Sequence, residues 1–263
     1  MPQQACPFCM YTRSWKIRRD KRKCKKCRRE YSQNRYPVPG IRSTEKEWKQ
    51  CIHIFLRERT LLRIVDETTI GYNRVQRMVH HIRMCMEGDV PKSFIGPVEM
   101  DETYIGGQRK NKRLHIKKIK AKRGHGTDKL PITGVFDRKT GQVYVEVMQK
   151  KLSMRCIIDI LHKRVVLGST VYTDAFKIYR MLPKHGYKHQ YVDHLQGEYV
   201  RNGIHTNNIE GFWGILKRKL SCIGGMRRDR LHWFVAEIAW KYNHRNTPLK
   251  EQEEELFKLV IKQ

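Results

Sequence analysis

The sequence predicts an α/β core built on a mixed five-stranded sheet with helices, preceded by a zinc-binding module and a small helical region. Three observations predict this order. Two closely spaced cysteine pairs open the chain, apolar residues then recur at helical spacing as far as Met86, and from Pro97 onward short β-type segments alternate with helical ones. A chain of 263 residues is long enough for one sizeable core and a small appendage. We therefore expect three parts, at residues 1–36, 41–90 and 95–263.

The composition indicates a polyanionic partner. Lysine and arginine number 55 against 26 acidic residues, a formal net charge of +29, while apolar residues make up 39% of the chain. The charge therefore belongs to a folded protein, and so large a surplus exceeds what solubility requires. The sequence has no apolar run of 18 residues and no signal-peptide pattern at its start. We expect an intracellular protein with reduced cysteines and no membrane contact.

Four cysteines near the start form two C-x-x-C motifs, Cys6 with Cys9 and Cys24 with Cys27, separated by 14 residues. Two tight turns of this kind present four thiolates to one tetrahedral zinc ion. A redox motif or a chance pairing is the alternative, but two such motifs in a reduced protein favour a structural zinc. A segment this short has little core of its own, so we expect zinc to supply most of its folding energy.

The same module is strongly basic. Its positive residues run from Arg13 to Arg29 and are interleaved with the aromatic residues Tyr11, Trp15 and Tyr31. A charge run is commonly a solvated surface. A rigid zinc module with this charge is expected to lie on DNA phosphates.

After a Y-P-V-P-G linker the pattern becomes helical. Thr44 and Glu47 have the spacing of a capping box before a first helix, residues 61–66 predict a second helix, and residues 72–86 predict a third. Three helices with a tight turn before the last are typical of a helix-turn-helix, and a purely packing role is the alternative. The residues that the third helix would offer to DNA are Arg74 and Arg77.

The rest of the chain predicts a sheet with helices in a definite order. Strands are predicted at 98–105, 130–136, 142–148, 170–173 and 187–192, and helices at 154–164, 176–182 and 207–220. Three strands, a helix, a strand, a helix, a strand and a helix is the element order of the ribonuclease H fold. In that fold, acidic residues stand on the first strand, just after the fourth strand and on a later helix. The residues at those places are Asp101, Asp174 and Glu210.

These three acids form a candidate site for two Mg²⁺ or Mn²⁺ ions. Phosphodiester hydrolysis and strand joining are both in-line displacements at phosphorus, and two metal ions about 3.5 to 4 Å apart stabilise the attacking and leaving oxygens. Without a cation, two carboxylates roughly 4 Å apart repel each other by about 4 kcal/mol at an effective dielectric near 20. We predict that Asp101 bridges both ions, while Asp174 and Glu210 hold one each.

Each acid also has a structural explanation. Glu210 can pair with Asn207 as a capping-box glutamate, and Asp174 can cap a turn or a helix. An aspartate inside a strand is disfavoured, so Asp101 is the hardest of the three to explain in this way. Its neighbour Glu102 is predicted to point to the opposite face of the sheet.

Other residues of this part have less specific patterns. Residues 109–123 contain nine lysines and arginines and no acid. This segment directly follows the Asp101 strand, where it would border the site and track a DNA backbone, or else form an ordinary solvated loop. The candidates for DNA contact in it are Lys110, Lys112 and Arg113. We assign the late aromatic residues to packing: Phe212, Trp213, Trp233, Phe234 and Trp240.

Three segments carry the acids in recognisable blocks. They read V-E-M-D-E-T-Y-I-G-G at 98–107, V-Y-T-D-A at 171–175 and H-T-N-N-I-E-G-F-W-G-I-L-K-R at 205–218. These blocks resemble the acidic blocks of Merlin-type transposases and of bacterial insertion-sequence transposases of the ISXO type. The two cysteine pairs, as a zinc ribbon, and the segment K-Y-N-H-R at 241–245 are similar to the same family. The resemblance covers nearly the whole chain.

The resemblance implies a DDE-type transposase that acts by cut-and-paste transposition. The zinc module would recognise terminal inverted repeats, and the core would free the 3′ ends and join them to target DNA. Such an enzyme binds double-stranded DNA as a homodimer or larger assembly. Asp174 and Glu210 are separated by 35 residues, an interval familiar from such enzymes. Some relatives carry asparagine at the third acidic position, so Asn207 and Asn208 remain alternatives to Glu210.

The resemblance also gives Lys217 a role in contacting the transposon end. Lys217 lies seven residues after Glu210, two helical turns on and so on the same helix face, and Arg218 follows it. Two other functions stay open, a nuclease or resolvase of the same fold and a transposase-derived DNA-binding protein without catalysis. We expect the protein in the nucleus of a eukaryotic host, and otherwise in the cytoplasm or nucleoid.

Overall fold

The computed structural model describes residues 5–18, 21–32, 36–106, 129–148, 152–192, 205–223 and 227–262. The chain forms two compact units. Unit 1 comprises Met1–Ile82 with Leu249–Gln263, and unit 2 comprises Arg83–Pro248. Three candidate DNA contacts lie outside the described residues: Lys110, Lys112 and Arg113.

Unit 1 begins with a small antiparallel sheet of strands β1 (Ser14–Arg18), β2 (Lys21–Cys24) and β3 (Glu30–Ser32), in that order. Its buried residues are Cys6, Cys24 and Tyr31. This is too little apolar surface to stabilise a module of this size, which is why a metal cross-link was expected here.

Three of the four described helices of unit 1 agree with the sequence pattern, and the C-terminal one has no counterpart among the predicted elements. They are α1 (Glu45–Leu56), α2 (Leu61–Asp66), α3 (Tyr72–Gly88), which extends into unit 2, and the C-terminal α7 (Leu249–Ile261). Thr44 and Glu47 form the predicted capping box, with each side chain accepting a hydrogen bond from the other residue's backbone N–H. Helix α7 packs on α1, although it lies within the predicted 95–263 part. None of the described helices is long and apolar enough to cross a membrane.

Unit 2 is built on a mixed five-stranded sheet. Its strands are β4 (Val98–Ile105), β5 (Leu130–Asp137), β6 (Val143–Val147), β7 (Thr170–Asp174) and β8 (Lys188–Val192). They lie in the order β6-β5-β4-β7-β8. Strand β5 is antiparallel to both of its neighbours, β6 and β4, while β4, β7 and β8 are parallel. This order and direction confirm the ribonuclease H-like fold, with β4 at the centre.

Helices cover both faces of this sheet. They are α4 (Met154–Arg164), α5 (Asn207–Ser221) and α6 (Leu231–Asn243), and the predicted 176–182 helix is a 3-10 helix at Lys177–His185. One apolar cluster joins α4 and the 3-10 helix to Val98 and Met100 of β4. The other joins α5 and α6 to Ile132 and Phe136 of β5. The odd-numbered residues of β4 therefore face α5, and the even-numbered residues face α4.

Candidate active site and zinc centre

The alternation of β4 separates its two central acids. Asp101 pairs with Gly134 of β5 and lies on the α5 face of the sheet. Glu102 lies on the other face, where its carboxylate accepts a hydrogen bond from the hydroxyl of the buried Tyr179. Burial raises the pKa of Glu102 to about 8. Glu102 thus belongs to a buried pair on the far side of the sheet, as the two-residue period of a strand predicts.

Electrostatic interactions link the three predicted acids. Burial, together with the negative charges of Asp174 and Glu210, raises the pKa of Asp101 to about 6. Asp174 ends β7, a parallel neighbour of β4, and Glu210 lies in the first turn of α5. The fold therefore directs three carboxylates from separate elements toward one region of negative potential, which a divalent cation would relieve.

Asp174 and Glu210 also make local hydrogen bonds. A carboxylate oxygen of Asp174 accepts from the backbone N–H of Phe176 at 3.0 Å. Glu210 accepts from the hydroxyl of Thr206, the residue just before α5, at 2.7 Å. Among the described residues, only the four N-terminal cysteines form a group of three or more His, Cys, Asp or Glu side chains whose metal-binding atoms lie within 4.8 Å of one another. The three carboxylates are thus more widely spaced than the thiols.

Sequence reasoning missed Glu99 of β4, whose fully buried side chain contacts the start of α5. Its carboxylate accepts hydrogen bonds from the Arg138 guanidinium at 2.7 Å and from the backbone N–H groups of Asn208 and Ile209, each at 3.0 Å. The first N–H groups of a helix lack partners within it, and Glu99 satisfies two of them. It thereby anchors the helix that carries Glu210.

The same carboxylate also binds the side chain of Asn208. Its side-chain amide donates to Glu99 at 2.7 Å. The amide nitrogen of Asn208 therefore supports the start of the helix, and Asn207 and Asn208 stay alternatives to Glu210 as the third ligand.

The assignment of Trp213 to packing was incomplete. Trp213 is 3% exposed and lies in the α5 cluster, but its indole N–H also donates to Asp101 at 3.0 Å. A Cβ on Gly134 would come within 2.6 Å of the indole, so this strand position requires glycine. A glycine inside an apolar strand is the sequence signal that could have indicated this close approach.

The candidate DNA contacts outside the acidic site differ in their surroundings. Lys217 and Arg218 are exposed on α5, on the turns that follow Glu210. Arg74 forms an ion pair with Glu47 at 3.2 Å and donates to a backbone carbonyl, so much of its charge is already compensated. Arg77 is exposed and donates one N–H to the carbonyl of Gly40.

The four cysteines form a compact cluster of the kind that zinc requires. All four sulfur atoms lie within 4.8 Å of one another, and the pairs Cys6–Cys27 and Cys9–Cys24 are 3.6 and 3.5 Å apart. Zinc–sulfur bonds of about 2.3 Å in a tetrahedron place sulfurs about 3.8 Å apart, which fits. Met10 and Arg28, each directly after a C-x-x-C pair, have φ of 58° and 57°, as expected where each turn closes tightly.

Comparison with protein families gives a match over residues 94–243 to the ISXO2-like transposase domain. The chain is 32% identical over 195 residues to an uncharacterized protein in transposable element ISH50 of Halobacterium salinarum, covering 71% of the chain but 65% of that relative. It is 29% identical over 104 residues to an uncharacterized transposase-like protein of Haemophilus influenzae, covering 40% of the chain and 82% of that relative.

Similar folds among solved structures include the HTLV-2 integrase catalytic core domain in complex with magnesium. That similarity has a TM-score of 0.31 at 13% identity and covers 59% of this chain and 88% of that one. A pre-cleavage Mos1 transpososome has a TM-score of 0.27 at 12% identity, with 86% and 81% coverage. At scores this low, the fold assignment rests on the strand order and not on these similarities.

Proposed function

The chain belongs to the ISXO2-like transposase family, and from this membership we propose that it is a DNA transposase that cuts and joins strands at the ends of a mobile element. The observation that supports catalysis is geometric: Asp101 lies on β4, Asp174 ends the parallel neighbour β7, and Trp213, one turn after Glu210 on α5, donates a hydrogen bond to Asp101. Asp174 and Glu210 both raise the pKa of Asp101. A fold that only bound DNA would gain nothing from directing three carboxylates toward one region.

The residues proposed to hold divalent metal are Asp101, Asp174 and Glu210. Their oxygen atoms are the ligands that Mg²⁺ and Mn²⁺ prefer. Two such ions would stabilise the charge on the attacking and leaving oxygens of an in-line displacement at phosphorus. The protein contributes the placement: β4 fixes Asp101, the end of β7 fixes Asp174, and α5 carries Glu210 on an anchored first turn.

Proposed DNA contacts lie on α5 of unit 2 and, separately, on the basic module of unit 1. Lys217 and Arg218 lie exposed on α5 beyond Glu210, where their charges suit the backbone of a transposon end. The four cysteines are proposed to bind a structural zinc, and the basic module around them to recognise the terminal inverted repeats. Both ends of an element must be processed together, so we propose at least a dimer on double-stranded DNA.

The test uses the inverted repeats that this function predicts on both sides of the gene. A duplex that carries one such end with a free 3′ hydroxyl is incubated with the full chain, a target plasmid and Mg²⁺ or Mn²⁺. Covalent joining of the end to the plasmid is expected. Cleavage of an uncut end without any joining would contradict the transposase and indicate a nuclease of the same fold.

A further inference from the structure

The indole of Trp213 contacts Asp101, the central acid of the proposed site. Trp213 lies three residues after Glu210 on α5, so both side chains leave the helix on neighbouring turns of one face. Its N–H donates to Asp101 at 3.0 Å. We infer that Trp213 is a positioning residue that fixes the orientation of the Asp101 carboxylate, an inference that rests on the proposed function.

The packing around the indole fixes the direction of its N–H group. Trp213 is 3% exposed, and Phe212 lies beside it with ring centroids 5.4 Å apart. On the sheet, the ring lies over Gly134, the residue paired with Asp101 in the register of β4 and β5. A Cβ at position 134 would approach the ring to 2.6 Å, so only glycine allows the ring to lie this close to the strand. Helix, ring and strand therefore hold the donor at a defined point.

A buried indole N–H needs a hydrogen-bond acceptor wherever it lies. The contact could therefore position Asp101, or it could serve only to pair the buried N–H group. Unit 2 contains a second contact of the same kind. The N–H of Trp240, which is 2% exposed, donates to Asp89 at 2.8 Å. Asp89 is not one of the three acids of the proposed site. The Trp240–Asp89 pair is therefore a matched control in which an indole N–H only satisfies a buried group.

An indole is a donor only and cannot reverse its role. It therefore donates to the same carboxylate oxygen of Asp101 with or without a cation nearby. The position of the second oxygen is then fixed before a cation binds. Asp101 also has a hydrogen bond to the backbone of Glu102, so loss of the indole donor would remove one of two restraints on its carboxylate and let it turn away from the charges of Asp174 and Glu210. A ligand in the wrong orientation weakens metal binding and misplaces the reacting groups.

The test compares Trp213→Phe with Trp240→Phe in the full, zinc-loaded chain. Both variants keep an aromatic ring and lose one indole–carboxylate hydrogen bond, so similar losses in thermal stability are expected. Only Trp213→Phe should weaken Mn²⁺ binding measured by calorimetry, and only it should slow strand joining, by about tenfold to a hundredfold. Equal Mn²⁺ affinity and equal joining rates in the two variants would show that the contact is packing alone.

Gly134→Ala gives a second route if Trp213→Phe does not fold. It retains the indole but forces the ring away from the strand, so it should share the weakened Mn²⁺ binding. A folded Gly134→Ala protein with wild-type Mn²⁺ affinity would overturn the inference. If the wild type binds Mn²⁺ but joins no strands, the proposed function fails while the affinities still test Trp213. If the wild type binds no Mn²⁺, both claims are wrong.

Discussion

Replacing Glu99 with alanine removes the group that anchors the start of α5. The carboxylate is fully buried, and it accepts from Arg138, whose side chain is 18% exposed, at 2.7 Å. Removing one partner of a buried ion pair costs about 3 to 5 kcal/mol, because the other charge stays buried without compensation. The N–H groups of Asn208 and Ile209 lose their acceptor as well. We expect the free energy of unfolding of unit 2 to fall by about 3 to 5 kcal/mol.

The assay is urea unfolding at constant zinc, followed by tryptophan fluorescence, to which unit 2 contributes three of the five tryptophans, Trp213, Trp233 and Trp240. The control is Asp229→Ala. Asp229 pairs with Arg227 at the same 2.7 Å, but the two side chains are 58% and 71% exposed. Solvent screens such a pair, so no measurable change is expected. Equal effects of the two substitutions, or no effect of Glu99→Ala, would refute the reasoning from burial.

Three further predictions concern other contacts. Chelation of zinc should remove the hydrogen-exchange protection of β1 to β3 and leave unit 2 protected; persistent protection in the chelated protein would mean that zinc is not structural. Asn243→Ala should speed amide exchange at Val143, because the Asn243 side chain accepts from its N–H at 2.7 Å and donates to its carbonyl at 2.9 Å; unchanged exchange would show another partner for this edge of β6. Burial opposes ionisation of Glu237, but Lys241 and Arg83 outweigh it and lower its pKa below 4.5. The ionised Glu237 carboxylate stabilises the folded state above pH 4.5, and this contribution is lost as the pH falls through the lower folded pKa. The difference in free energy of unfolding between wild type and Glu237→Gln should therefore shrink on acidification. A difference that does not change with pH would contradict this assignment.

Local patterns predicted the first three helices and the element order of the core, but not β1 to β3 or α7. The capping box at Thr44, the two-residue alternation around Asp101 and the element order of the core all depend on residues close together in the chain. For this reason the helices and strands of unit 2 fall close to their predicted positions, and Glu102 lies on the face that the alternation assigns to it.

Contacts between distant residues could not be read in this way. Glu99 meets Asn208 at a separation of 109 positions, and Asp101 meets Trp213 at 112. Neither contact can be recognised from neighbouring residues in the sequence. Each region does contain one residue that is unusual in a strand, Glu99 between Val98 and Met100, and Gly134 inside β5. The K-Y-N-H-R segment is similar to the family's pattern, yet the structure alone shows that its Asn243 covers the edge of β6.

Asp101, Asp174 and Glu210 are proposed to carry out strand joining with divalent metal. The direct measurement is the yield of joined product with Mg²⁺ and Mn²⁺ for the variants Asp101→Asn, Asp174→Asn and Glu210→Gln. The control is Asp159→Asn, which removes an exposed charge from α4. We expect each of the three site variants to lose joining while they remain folded and bind DNA, and the control to join at the wild-type rate. Wild-type joining by any one of the three would contradict the assignment of that residue to the site.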